Sequence, residues 1–335
     1  MSSPLYPLLF EPVYQPYVWG GDRIIRQFQR NEPPGIYAES WEVSDRPEGM
    51  SVVANGSWKG KKLSELIQSH GASLLGKAVD GDKFPLLIKL IDARETLSVQ
   101  VHPDDGSADR VGGEAKTEMW YVLDAAPDAC VYAGWRNAIS ESDLRQAIKE
   151  NTVEQLLNVV QVKAGDAIYM PGGQVHAIGA GCLLLEVQQN SNTTYRIYDW
   201  GRTGTDGKPR PLHIEEATQV LCLDRAGDDL RPAPRQLDCL GENERWEVLR
   251  ARYFLLERLQ LKNAWQEKLD GDSFHVLFSP DADVELYYGV DDDRMIVPRG
   301  TSCLIPASLD GYTLMPVNGS ATVLRISQPV WTKNE

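Results

Sequence analysis

Several things are scarce in this 335-residue chain. Its five cysteines stand singly at 130, 182, 222, 239 and 303, with no Cys-x-x-Cys pair and an odd total. That argues against a disulfide frame and a thiolate metal cluster, and for reduced thiols that serve as small core residues. No stretch approaches the roughly 20 apolar residues of a membrane span, and the N-terminal MSSPLYPLLFEPV lacks the basic start and long apolar run of a secretory leader. The expected location is cytoplasmic. Basic charge is also short: a formal net charge of −14 makes nucleic acid and anionic membranes poor partners. An anionic substrate must therefore meet a local cluster of Lys and Arg. Glycine-rich phosphate loops of the Rossmann or P-loop kind are missing as well.

What is present reads as mainly β. Short strand-like runs are punctuated by Gly, Pro and Asp, the pattern of sandwiches and barrels rather than of alternating βαβ units. Two helices interrupt them. One is expected near 63–69, with Leu63, Leu66 and Ile67 on one face and a stop at Gly71. The other opens at Ser140 with Asp143 three residues on, then carries Leu144, Ala147, Ile148, Leu156 and Leu157 at roughly helical spacing. The polar, Pro-rich AGDDLRPAPRQ at 226–236 is the candidate domain boundary. It separates an expected first domain over 1–230 from a second over 237–335. A short internal repeat supports two copies of one architecture: VKAGDAIYMP at 162–171 and VPRGTSCLIP at 297–306 share V-x-x-G-x5-P, a Gly turn feeding a strand that ends at Pro. The acidic runs at 227–229 and 291–293 read as solvated loops.

The chemistry concentrates in a few segments. In LSVQVHPDD at 97–105, Gln100 and His102 sit two apart on a strand, so they share a face while Val99 and Val101 take the other. Glu118 begins the next strand, in KTEMWYVL, and His176 follows the turn MPGGQ. Two imidazoles, a carboxylate and an amide oxygen would make an N2O2 set suited to zinc, although Fe(II), Mn(II) or Ni(II) also accept such donors. His70, His213 and His275 read instead as structural, and so do Trp19, Trp41 and Trp120.

GDAIYMPGGQVH at 165–176 resembles the second signature of the cupins, G-D-x4-P-x-G-x2-H, at every defined position. The first cupin signature departs from the generic pattern. Gln-Val-His replaces His-x-His, and Glu118 comes 118 − 102 = 16 residues after His102. Together with QVHPDD at 100–105, KTEMWY at 116–121, PGGQVHAIG at 171–179 and TYRIYD at 194–199, these departures resemble the type I phosphomannose isomerases. FEPVYQPYVWGGDRI, ESWEVSDRP and FPLLIKLIDARETLS extend the resemblance over about the first two-thirds of the chain. It implies two cupin (jelly-roll) barrels, the first with helical insertions and a metal, the second without. It also implies zinc-dependent interconversion of mannose 6-phosphate and fructose 6-phosphate through a cis-enediol. The zinc, one per chain, would be held by Gln100, His102, Glu118 and His176, with Arg196 catalytic.

Other roles follow from chemistry. Lys116, two residues before Glu118, is a candidate for proton transfer and for the basic pocket that a phosphate needs. Lys89 and Ser98 are further candidates for substrate binding. Glu186 is another, and it shares with Asp199 the alternative role of a carboxylate base or a group that orients Arg196. The only partner expected is a small sugar phosphate, and the chain is expected to be a monomer or a weak homo-oligomer.

Overall fold

The computed structural model describes residues 4–203, 207–227, 230–289 and 293–330. The chain is mainly β and divides into two compact units. One consists of Tyr14–Ser40 and Lys89–Pro232, the other of Met1–Val13, Trp41–Ile88 and Ala233–Glu335. The break between residues 232 and 233 falls inside the Pro-rich stretch. Residues 1–13 and 41–88, expected in the first domain, instead fold with the C-terminal part. There Leu8 and Leu9 pair with Leu304 and Cys303, and Phe84 lies 4.6 Å from Phe274 ring to ring. The acidic runs expected as loops lie for the most part outside the described residues.

In the unit holding Lys89–Pro232, a five-stranded antiparallel sheet runs in the order Tyr195–Tyr198, Val99–Val101, His176–Ile178, Cys130–Trp135, Leu157–Gln161. A second sheet sets Glu118–Ala125 between Ala167–Met170 and Cys182–Gln189. Strand alternation then decides what goes where. Val99 and Val101 pack outward beneath the helices Glu141–Glu150 and Ile214–Val220, among Leu144, Ala147 and Ala217. The opposite face turns inward, where Trp120, Val122, Ile168 and Val131 form an apolar core. Gln100, His102 and Glu118 are on that inward side, at the end of this core.

Both helices predicted from the sequence are present. Leu63–His70 buries Leu63, Leu66 and Ile67 and stops at Gly71, but it belongs to the unit of Ala233–Glu335 rather than to that of Lys89–Pro232. Glu141–Glu150 starts from a Ser140 capping box. It ends sooner than expected because Asn151 adopts the left-handed conformation (φ 56°), so Leu156 falls in a 3-10 turn and Leu157 starts a strand. Shorter helices at Arg23–Phe28 and Ile214–Val220 carry too few turns for their periodicity to be read. Among the described residues no helix is long and apolar enough to cross a membrane.

The second unit opposes a four-stranded sheet (Trp265–Lys268, Gly311–Pro316, Val284–Tyr288, Asp293–Val297) to a larger one that includes Leu255–Leu261, Ala321–Ser327, His275–Phe278 and Ser302–Ile305. Leu259, Leu277, Leu286, Leu314 and Val323 fill the space between. The repeat is real at the level of backbone: Gly165 and Gly300 both take positive φ, 90° and 73°, and each feeds a strand that ends just before Pro. All five cysteines are free thiols. Cys239 lies exposed rather than in the core, because its strand Arg235–Leu240 is exposed along most of its length.

Candidate metal centre and its pocket

His102, Glu118 and His176 bring one donor atom each within 4.8 Å of one another, and each side chain is 1% exposed. Register explains the meeting. His176 lies opposite Gln100 across the five-stranded sheet, while Glu118 lies opposite Met170 in the other sheet, just before the PGGQ turn that leads to His176.

The local hydrogen bonds fix which atoms face inward. His176 Nδ1–H donates to the Gln174 carbonyl (2.9 Å), which leaves a lone pair on Nε2. That lone pair stands 3.3 Å from Glu118 Oε1, a buried oxygen with no hydrogen-bond donor. Two acceptors at this distance cannot bond each other, an arrangement that a cation between them would complete. A divalent ion bound tetrahedrally at about 2.0–2.1 Å separates its donors by about 3.3–3.4 Å. Separations of this order occur here, 3.3 Å from His176 Nε2 to Glu118 Oε1 and 3.4 Å from His102 Nε2 to Glu118 Oε2, while one donor from each of the three residues falls within 4.8 Å of the others; the Gln100 amide nitrogen is 3.3 Å from His176 Nε2. Gln100 now turns its amide nitrogen inward and its oxygen toward Ser98 Oγ (3.4 Å), so ligation through oxygen needs a half-turn of the amide.

Protonation states suit a metal. Burial, and then Lys116, push the His102 pKa down to about 3, and burial likewise lowers that of His176, so both rings are neutral. Burial works against the charge on Glu118, but Lys116 Nζ at 2.8 Å outweighs it and keeps the carboxylate ionised. Neutral imidazoles with an ionised carboxylate are the states in which these groups bind a divalent ion.

Beside the cage lies a cavity of about 260 Å³. Gln100, Ser98, Lys116, Lys89, Glu186 and Arg196 all line it, whereas Asp199, also singled out from the sequence, is not on its lining. Lys116 reaches furthest toward the donors, with Nζ 3.0 Å from His102 Nε2. Arg196 is placed by its strand beside Gln100. It donates from Nη1 to the Pro211 carbonyl (2.9 Å), and its Nε–H has no partner. Burial and neighbouring Arg210 lower the Arg196 pKa, and Arg210 lines the same cavity.

The model of the type I phosphomannose isomerase catalytic domain matches residues 8–129. A mannose-6-phosphate isomerase of Bacillus subtilis (strain 168) is 44% identical over 217 residues, covering 64% of this chain and 68% of the relative. One from Streptococcus mutans is 43% identical over 218 residues, covering 65% and 68%. The crystal structure of the mannose 6-phosphate isomerase from Bacillus subtilis superposes with a TM-score of 0.87 at 31% identity, over 96% of this chain and 99% of that one. The chain belongs to the type I phosphomannose isomerases.

Within that family frame, the pocket differs from the sequence reading in two places. Lys89 is not a free cation. Its Nζ lies 2.9 Å from Glu186 Oε1 and 3.4 Å from Glu39 Oε1, and although burial opposes its charge, these two carboxylates outweigh burial and raise its pKa. Glu186 also accepts the Trp120 indole N–H at 2.7 Å, which gives that tryptophan a polar task beyond packing. Asp199 does not hold Arg196. It binds Arg202 (2.7 Å) and Arg210 (2.7 Å to Nε), and these guanidiniums lower its pKa against the effect of burial. Glu39 and Arg210 were missed from the sequence. The signal for both was available only as position: Glu39 opens ESWEV and Arg210 follows TYRIYD by eleven residues, with no spacing rule linking either to the cage.

Proposed function

We propose that this chain interconverts mannose 6-phosphate and fructose 6-phosphate, with one zinc ion held by His102, His176, Glu118 and the Gln100 amide oxygen, in one of two cupin barrels. What supports the reading is the convergence of two neutral imidazoles on the Glu118 carboxylate, His176 on an oxygen without a donor and His102 on the oxygen that Lys116 also reaches, at the edge of a cationic cavity. When bound, zinc supplies positive charge next to the oxygens of an enediolate, commonly worth several kcal/mol.

The protein's own side chains do the rest. Arg196, with an N–H not otherwise used, donates to the sugar oxygens as charge develops on them. Lys116 lines the same cavity and is assigned the proton transfer between C1 and C2 through the cis-enediol. The phosphate meets the hydroxyl of Ser98 and Arg210, which shares the single carboxylate of Asp199 with Arg202 and so keeps net positive charge, whereas Lys89 faces two carboxylates, Glu186 and Glu39. Lys89 and Glu186 act as one neutral pair that binds sugar hydroxyls. Net charge over the rest of the chain repels anions, so this local cluster also determines where a sugar phosphate settles.

Turnover of mannose 6-phosphate and of glucose 6-phosphate, each followed to fructose 6-phosphate with metal-replete protein, tests the proposal. Mannose 6-phosphate is expected to be the substrate. Turnover confined to glucose 6-phosphate, or ligand binding without any isomerisation, contradicts it.

A further inference from the structure

The unit containing Ala233–Glu335 repeats the layout of the catalytic pocket with different chemistry. Counting back from Pro171, Met170 faces Glu118, and Ile168 faces Trp120, which in turn faces Glu186. Counting back from Pro306, Ile305 faces His275, and Cys303 faces Leu277, which in turn faces Arg325. His275 therefore stands where the first pocket has Glu118, and Arg325 where it has Glu186. The buried ion pair recurs with its signs exchanged: Lys89 on Glu186 at 2.9 Å in one, Glu257 on Arg325 at 2.8 Å in the other. Arg325 and Glu257 are each 2% exposed, and Arg325 also pairs with Glu267. Burial, with Arg325 beside it, lowers the His275 pKa well below its usual value, so its neutral ring can accept the Tyr312 hydroxyl at 2.9 Å. An apolar layer would fill this space at lower desolvation cost, which makes the retained charges a candidate site rather than a stability device.

A cavity of about 1430 Å³ is lined by Tyr312 and Glu267, which contact His275 and Arg325 respectively. Across the four-stranded sheet, Glu267, Tyr312, Tyr288 and Asp293 are directly opposed in one row, and all four line the cavity. Two residues further in, the same face reads Trp265, Leu314, Leu286, Met295, the apolar core. The polar and aromatic row is thus confined to the mouth. Tyr6 forms another wall, its hydroxyl tied to the Asn55 carbonyl (3.0 Å) and to the Trp58 N–H (2.7 Å), so its ring is held before any ligand arrives. Of the charged residues on the described lining, Glu267, Asp293 and Asp310 are acidic and Lys268 alone is basic, which disfavours a phosphorylated ligand.

We propose that this cavity binds a neutral oligosaccharide, whose rings stack on Tyr6 and Tyr288 and whose hydroxyls donate to Glu267 and Asp310. Flat C–H faces against aromatic rings and hydroxyls against carboxylates are the two contacts a sugar offers. The volume exceeds what a single drug-sized molecule fills, as a chain of several sugar rings requires.

Calorimetric titration of the full-length protein with mannotriose, maltotriose and cellotriose tests this. At least one is expected to bind saturably, and mannose 6-phosphate should not displace it. Tyr288→Ala should weaken that binding about tenfold while isomerase turnover stays within about twofold, with calorimetric melting of the same sample reporting the folding of the unit that holds Tyr288. Tyr288→Leu keeps the bulk without the ring and should weaken binding similarly, so a folding failure of the alanine variant leaves the test intact. No saturable binding of any trisaccharide, displacement by mannose 6-phosphate, undiminished binding in the leucine variant, or saturable binding of choline alone overturns the proposal.

Discussion

Replacing Lys89 by Met removes a cation that lies between two buried carboxylates, and the cost can be worked from the structure. Lys89, Glu186 and Glu39 are 6%, 2% and 7% exposed. At an effective dielectric constant of about 20, separations of 2.9 and 3.4 Å correspond to attractions of about 6 and about 5 kcal/mol. Most of that offsets desolvation of the three ions, so the intact cluster adds little net stability. Removing one partner differs, because the carboxylates stay buried while the attraction is lost; about 3–5 kcal/mol is expected. For a unit of this size that lowers the melting temperature by about 6–20 °C in calorimetry. Glu186→Gln added to Lys89→Met should restore much of the loss, since the amide oxygen still accepts the Trp120 N–H. The pH dependence has a definite sign. Burial, then Glu118, already raises the Glu186 pKa, and losing Lys89 raises it further. A carboxyl that holds its proton more tightly when folded stabilises the fold at low pH and loses that contribution as pH climbs through the folded pKa. The Lys89→Met deficit should therefore shrink as pH falls from about 8 to about 5. A melting temperature within about 2 °C of the parent at pH 8 would refute the reasoning.

Other substitutions probe separate parts of the account. Arg196→Ala should lower kcat by at least about a hundredfold with bound metal unchanged, as measured by steady-state assay and elemental analysis; loss of metal would make Arg196 structural. Gly76→Ala places a methyl 2.2 Å from the Asp272 carbonyl oxygen at φ +107°, and should cost about 3 kcal/mol or more in urea unfolding. Ser140→Ala removes a helix cap that accepts the Asp143 N–H and should cost about 1 kcal/mol in the same experiment.

Much of this site was legible because β-structure turns sequence parity into geometry. Gln100 and His102 point inward because Val99 and Val101 are claimed by the helices outside, and a single offset would reverse both. The Gly165 and Gly300 turns were equally readable, since each needs a conformation that other residues resist. What could not be read depends on contacts between distant segments. Residues 1–13 and 41–88 join the C-terminal unit by adding a strand beside Ser302–Ile305 and by packing Phe84 on Phe274, neither of which leaves a local pattern. The neutralisation of Lys89 by Glu39 and Glu186 is invisible for the same reason: the three residues lie on different strands, and only their meeting decides whether the lysine is free.

The central claim is that the His102–Glu118–His176 cage holds one divalent ion without which the sugar does not rearrange. Chelation followed by metal return, with bound metal and mannose 6-phosphate turnover measured on the same samples, tests it most directly. One equivalent of zinc restored together with activity, and neither restored in Glu118→Gln, is the predicted result; full turnover by metal-free protein contradicts it.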